Sequence, residues 1–128
     1  MPSFTLTAHS RAPVEDVWKL LHEPSRFPEW WTGIETVQPG PDGTSYTMWP
    51  EGYPDFPMAQ RLEASSGRVT ISCLVSDLMF TWQLREAGEE TDIDVLVELP
   101  EQEAHRLDDQ QRLLATSIRT LADLAARA

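Results

Sequence analysis

Between Val69 and Val97 the chain alternates apolar and polar residues in three successive runs. Val69, Ile71, Cys73 and Val75 share one face. Phe80, Trp82 and Leu84 share the next, and Ile93, Val95 and Val97 the third, with Asp92, Asp94 and Glu98 turned the other way. A period of two is the period of a strand, because successive side chains leave opposite sides of a pleated backbone. Short turn signals punctuate the runs at "SSG" (65–67), "SDL" (76–78) and "EAGEE" (86–90), with "PGPDG" (39–43) further upstream. They predict hairpin connections, and hence an antiparallel meander from Ile34 to Leu99 that is apolar on one side and wet on the other.

Such a sheet needs a cover for its apolar side, and the rest of the chain supplies candidates. Apolar residues recur at helical spacing after Pro100: Leu107, Leu114, Ile118, Leu121 and Ala125. They predict one terminal helix of about 25 residues, about 38 Å long, laid along the sheet. At the other end, Phe4, Leu6 and Ala8 alternate with Thr5, Thr7 and His9 as a first strand. Two short helices should follow. The first is "APVEDVWKLLHEP", with Pro13 at a first helical position and Pro24 as its stop. The second has about two turns through "RFPEWW", with Ser25 as cap and Gly33 as a left-handed terminator. The three prolines of "PEGYPDFP" (50–57) forbid regular strand there and predict a loop over the sheet. The acidic run "EAGEETDID" is expected to be a solvated hairpin edge that resists edge-to-edge pairing. Strand, short helices, strand block and long helix together make an α+β layout.

Charge narrows the partners. With 10 Lys and Arg against 21 Asp and Glu, the formal net charge is −11, which repels phosphate backbones and anionic headgroups. Nucleic acid is not an expected partner. No apolar run approaches the ~20 residues of a membrane span, so no membrane insertion is expected. The N-terminal "MPSFTLTAHS" lacks the basic start and apolar run of a signal peptide. A cytoplasmic chain of one domain, residues 1–128, monomeric or homodimeric, is the expectation. Its one cysteine, Cys73, has no partner for an internal disulfide.

The opening "FTLTAHSRAPVEDVWKLLHEPSRFPEWW" resembles the START-like superfamily, also called SRPBCC or Bet v 1-like, and within it the polyketide cyclase/dehydrase and lipid transport family. "APVEDVWKLL" followed by "PSRFPEWW" carries the likeness. The resemblance implies a helix-grip fold: a curved antiparallel sheet wrapped around a long C-terminal helix, with two short helices after the first strand. It also implies a cavity between sheet and helix that takes hydrophobic small molecules.

Strand parity then nominates the cavity wall. Tyr46 and Met48, then Met58, Gln60 and Leu62, then Ile71 and Cys73 should point inward. So should Phe80 and Trp82, then Val95 and Val97, while Leu114, Ser117, Ile118 and Leu121 descend from the helix. The polar groups that would orient a ligand are Tyr46, Gln60 and Ser117. The other reading has the apolar residues simply filling a core, and Gln60 satisfying a backbone group or pointing to water at a strand end. Adjacent helical residues point about 100° apart, so Trp30 and Trp31 are expected to split, Trp31 into the core and Trp30 toward the cavity mouth. The other reading makes both of them packing residues.

Catalytic signatures are sparse. No nucleophile elbow, glycine-rich phosphate loop or metal-ligating cluster occurs, and neither a metal nor a cofactor is called for. His9, His22 and His105 are expected on the surface, and Cys73 as a buried thiol. Binding of a hydrophobic small molecule (lipid, quinone or polyketide-like aromatic) is the first functional expectation. A cyclase or dehydratase acting on a poly-keto substrate is the alternative, with Tyr46 as proton donor and Gln60 holding an enolate oxygen. No inward Arg or His is expected. A third possibility, a chaperone-activator-like module, would need an exposed apolar patch and none is evident.

Overall fold

The computed structural model describes residues 2–127. Strand β1 (Ser3–Ser10) leads into helix α1 (Val14–Leu21) and a 3-10 turn (Pro24–Glu29). Strands β2 (Ile34–Pro39), β3 (Ser45–Pro50), β4 (Met58–Ser65), β5 (Arg68–Cys73), β6 (Met79–Ala87) and β7 (Glu90–Glu98) follow. A second 3-10 turn (Glu101–Arg106) then runs into helix α2 (Leu107–Arg127). All seven strands form one antiparallel sheet in the order β1-β7-β6-β5-β4-β3-β2. The chain therefore meanders from β2 to β7 and brings β1 back beside β7, Ser3 opposite Glu98 and Ser10 opposite Thr91. Helix α2 lies on this end of the sheet, against β1 and β7, with α1 beside it. This is the helix-grip arrangement.

The alternation holds strand by strand. Thr91, Ile93, Val95 and Val97 of β7 are buried while their neighbours are half-buried, and Phe80, Trp82 and Leu84 of β6 are buried in the same way. Two buried hydroxyls fasten the far end. Ser10 Oγ donates to the Ala122 carbonyl at 2.8 Å and accepts the Ala12 N–H at 3.2 Å. Thr91 Oγ1 donates to the Ala12 carbonyl at 2.9 Å.

Several boundaries differ from the sequence-based expectation. Strand β5 ends at Cys73, where the chain turns back with Asp77 N–H on the Cys73 carbonyl and Cys73 N–H on the Leu78 carbonyl. Val75 is consequently 63% exposed and does not share the Val69–Cys73 face. The terminal helix is α-helical only from Leu107, so its 21 residues span about 32 Å. Pro24 does not merely stop α1. It opens the 3-10 turn, with Glu23 rather than Ser25 at the cap position. The acidic run does not form a sheet edge either, since β7 lies between β1 and β6. Its carboxylates instead hold His9, whose Nδ1–H donates to Asp92 Oδ1 at 2.8 Å and whose Nε2–H donates to Glu90. Four large apolar side chains stand exposed on two loops, Tyr53 and Phe56 after β3 and Leu74 and Val75 after β5, a feature that alternation does not signal. Among the described residues no helix is long and apolar enough to cross a membrane.

Candidate ligand-binding cavity

Six aromatic rings set how much space remains between sheet and helix. The 3-10 turn ends at Glu29, and Trp30 departs from helical geometry at φ −137° and ψ −20°, so the 100° rule for neighbours no longer applies. Both indoles turn inward, Trp30 at 2% and Trp31 at 7% exposure, and stack on each other with centroids 5.3 Å apart. Trp82 meets both rings at near right angles. Phe27 packs against Trp30, Trp31 and Tyr46, and Phe80 against Trp31. This cluster plugs most of the grip.

A cavity of about 150 Å³ survives toward the N-terminal end of α2. Its sheet wall is Tyr46 and Met48 from β3, Met58 and Gln60 from β4, Cys73 from β5 and Phe80 from β6. Trp31 to Ile34 and Pro50 close one side, Ser76 and Leu78 another, and Arg106, Gln110 and Leu113 stand on the helix side. Broader hollows elsewhere, such as the one at Glu35, Trp49 and Pro54, are more open. Registry places Tyr46 opposite Gln60 and Gln60 opposite Cys73. The three form a row across the sheet, with directly opposed side chains about 5 Å apart.

The row is polar and borders a space roomy enough to hold water. Tyr46 and Gln60 are both buried, yet among the described residues neither the hydroxyl nor the amide is hydrogen-bonded to another protein group. Burial pushes the Tyr46 phenol well above its ordinary value, and the neighbouring Cys73 thiol adds in the same direction. The phenol stays neutral and keeps its proton to donate. Cys73 Sγ accepts a hydrogen bond from Ser76 Oγ at 3.1 Å.

Six of the nominated residues line this space: Tyr46, Met48, Met58, Gln60, Cys73 and Phe80. Leu62, Ile71, Trp82 and Val95 from the sheet, and Leu114 and Ile118 from α2, are buried away from it and fill the core. Ser117 is buried too, but its hydroxyl is used within the protein. It donates to the Leu113 carbonyl at 2.6 Å and accepts the Thr32 N–H at 2.9 Å, tying α2 to the segment after the tryptophans. The two tryptophans are exchanged relative to expectation. Trp31 lines the cavity, whereas the Trp30 indole N–H donates to the Leu20 carbonyl at 3.0 Å and is fixed in the core. That carbonyl would ordinarily pair with the N–H four residues on, but residue 24 is proline and has none.

Arg106 departs from the expectation that no Arg or His faces inward. It lines the cavity, reaching it from the 3-10 turn before α2. Arg106, Gln110 and Leu113 follow one another at spacings of four and three, so they extend the Leu114–Ser117–Ile118–Leu121 face toward the helix start. An apolar pattern misses two of them because they are polar.

The sequence pattern of a family described as polyketide cyclase/dehydrase and lipid transport matches residues 1–114. The chain belongs to that family. No curated protein matches it. Among solved structures, a Bacillus thuringiensis protein superposes with a TM-score of 0.79 at 15% identity, covering 97% of this chain and 98% of its own. A START superfamily protein from Mycobacterium smegmatis gives 0.75 at 12%, covering 95% and 97%. The di-domain ARO/CYC protein StfQ of the steffimycin biosynthetic pathway gives 0.80 at 19%; the match takes in 97% of this family member but only 44% of StfQ. At these identities the likeness is one of fold.

Proposed function

We propose that the protein binds a small hydrophobic molecule, about one aromatic ring in size, in the cavity between sheet and C-terminal helix. The observation that carries this reading is the pair of buried, internally unpaired polar side chains, Tyr46 and Gln60, side by side on a cavity wall that is otherwise mostly apolar. In the free protein the partners open to them are waters in the cavity. A ligand that brings a carbonyl or hydroxyl to them replaces that water and is oriented by the pair.

Size sets the ligand class. A cavity near 150 Å³ is of the order that accepts a benzene-sized molecule, whereas drug-sized ligands occupy roughly 300–1,000 Å³. A poly-keto chain folding on itself to close rings belongs to the larger class. Tyr46 also argues for binding over turnover. A proton donor works best with a pKa near the working pH, and burial moves this phenol the other way. The ARO/CYC role of StfQ is therefore not carried across.

The test is titration of the full chain with toluene and p-cresol, followed by tryptophan fluorescence and calorimetry. Both should bind saturably, p-cresol more tightly. Tyr46→Phe and Gln60→Leu should each weaken p-cresol by about fivefold, the value of one neutral hydrogen bond, and leave toluene unchanged. Absence of saturable binding by either ring at millimolar concentration would overturn the reading.

A further inference from the structure

The cavity lining contains one charged residue, and it is a cation. Arg106 stands on the helix side, and none of the other residues that line the space is Asp or Glu, in a chain whose net charge is −11. The bulk of that negative charge is screened from the cavity at physiological salt, where the Debye length is about 8 Å. The local field at the mouth is set by Arg106 and its immediate neighbour.

That neighbour is Glu103. Arg106 Nη1 stands 3.5 Å from Glu103 Oε2, with the Arg106 side chain 33% exposed. Among the described residues this is the one partner of the guanidinium. A single contact at the outer limit of hydrogen bonding leaves the two-pronged face of the fork unmatched, and a planar carboxylate fits that face with two parallel bonds. Gln110, one turn along the same face, adds an amide donor. A phosphate dianion would want more donors than one arginine and one amide supply.

We propose that the ligand of this cavity is a small amphiphilic acid, whose apolar body of about one ring lies against Trp31, Met58 and Phe80 and whose carboxylate is paired by Arg106 at the mouth. In the free protein Glu103 occupies the guanidinium weakly, and the ligand's carboxylate displaces it. The proposal rests on the reading that the cavity binds a small hydrophobic molecule, and it adds the charge that the ligand carries.

The test compares 3-phenylpropionate with 3-phenylpropionamide, which share a shape and differ in charge, on the full chain and on Arg106→Gln and Glu103→Gln. The acid should bind the unaltered protein about tenfold more tightly than the amide, as a charge-assisted pair exceeds a neutral one. Arg106→Gln should erase the preference while amide affinity stays the same. Glu103→Gln should widen it, because the competing carboxylate is gone. Equal affinity for acid and amide, or a preference that persists in Arg106→Gln, overturns the proposal and leaves the cavity reading standing. Failure of acid, amide, toluene and p-cresol alike overturns both.

Discussion

Trp30→Phe and Trp31→Phe make the same chemical change at adjacent positions, and the structure assigns them different costs. At position 30 the change deletes the N–H that satisfies the Leu20 carbonyl. Pro24 offers that carbonyl no replacement, and the site is dry, since Trp30 is 2% exposed. An unpaired buried carbonyl costs about 1–3 kcal/mol, and the volume lost from a packed ring adds about 1 kcal/mol, for a total of about 2–4 kcal/mol. At position 31 no indole hydrogen bond is lost and part of the ring already faces the cavity, so only the volume cost of about 1 kcal/mol applies. Urea unfolding followed by far-ultraviolet circular dichroism separates them. With a slope of about 2 kcal/mol per molar, the Trp30→Phe midpoint should fall about 0.5–1.5 M below that of Trp31→Phe at equal slope. Coincident midpoints would refute the assignment of the Trp30 indole as the partner of the α1 terminus.

Ser10→Ala removes a buried donor and acceptor at once, from the Ala122 carbonyl and the Ala12 N–H. It should cost about 1–3 kcal/mol, whereas Thr116→Ala, exposed on α2, should stay within about 0.5 kcal/mol in the same urea assay. His9 is held by Asp92 first and Glu90 second, and both raise its pKa above the ordinary 6.5. A raised value in the folded state means stability that is fully present below 6.5 and is lost as pH rises through the folded value. The stability difference between the protein and His9→Gln should therefore shrink as pH is raised above neutrality, and a difference independent of pH would contradict the contact. Cys73, on the cavity wall and 4% exposed, should alkylate slowly with N-ethylmaleimide, and more slowly still with p-cresol bound. Mass spectrometry after timed quenching reads both rates, and equal rates would place the ligand elsewhere.

Strand parity placed Tyr46, Met48, Met58, Gln60, Cys73 and Phe80 on the cavity wall because a period of two survives almost any error in strand ends. Parity cannot say how far along the sheet the space extends. Ile71, Trp82 and Val95 obey the same alternation and lie in the filled part, where Trp30 and Trp31 already occupy the grip. The tryptophan pair does not split as helical geometry predicts, because a 3-10 turn containing Pro28 ends at Glu29 and no helix runs through position 31. Ser117 illustrates a different limit. A hydroxyl on an inward helix face was legible, but its use by the Thr32 N–H depends on a loop position that no periodicity encodes. Arg106 was hidden by its polarity, although its spacing from Gln110 and Leu113 continues the buried face.

The pairing of β1 with β7 also bears on how the chain reaches this structure. Every other neighbouring strand pair is joined by a hairpin or a short loop, but β1 finds its partner more than eighty residues away, Ser3 against Glu98. Contacts of such long sequence separation incur their loop-closure entropy before they return any stabilisation, and they slow folding. The six strands of the meander pair with neighbours close in sequence, whereas β1 can pair only once β7 has been made. Helix α2, which packs on β1, adds a second set of contacts between the two ends of the sequence. Closure of the grip thus carries the largest loop-closure entropy of any strand pairing in the sheet.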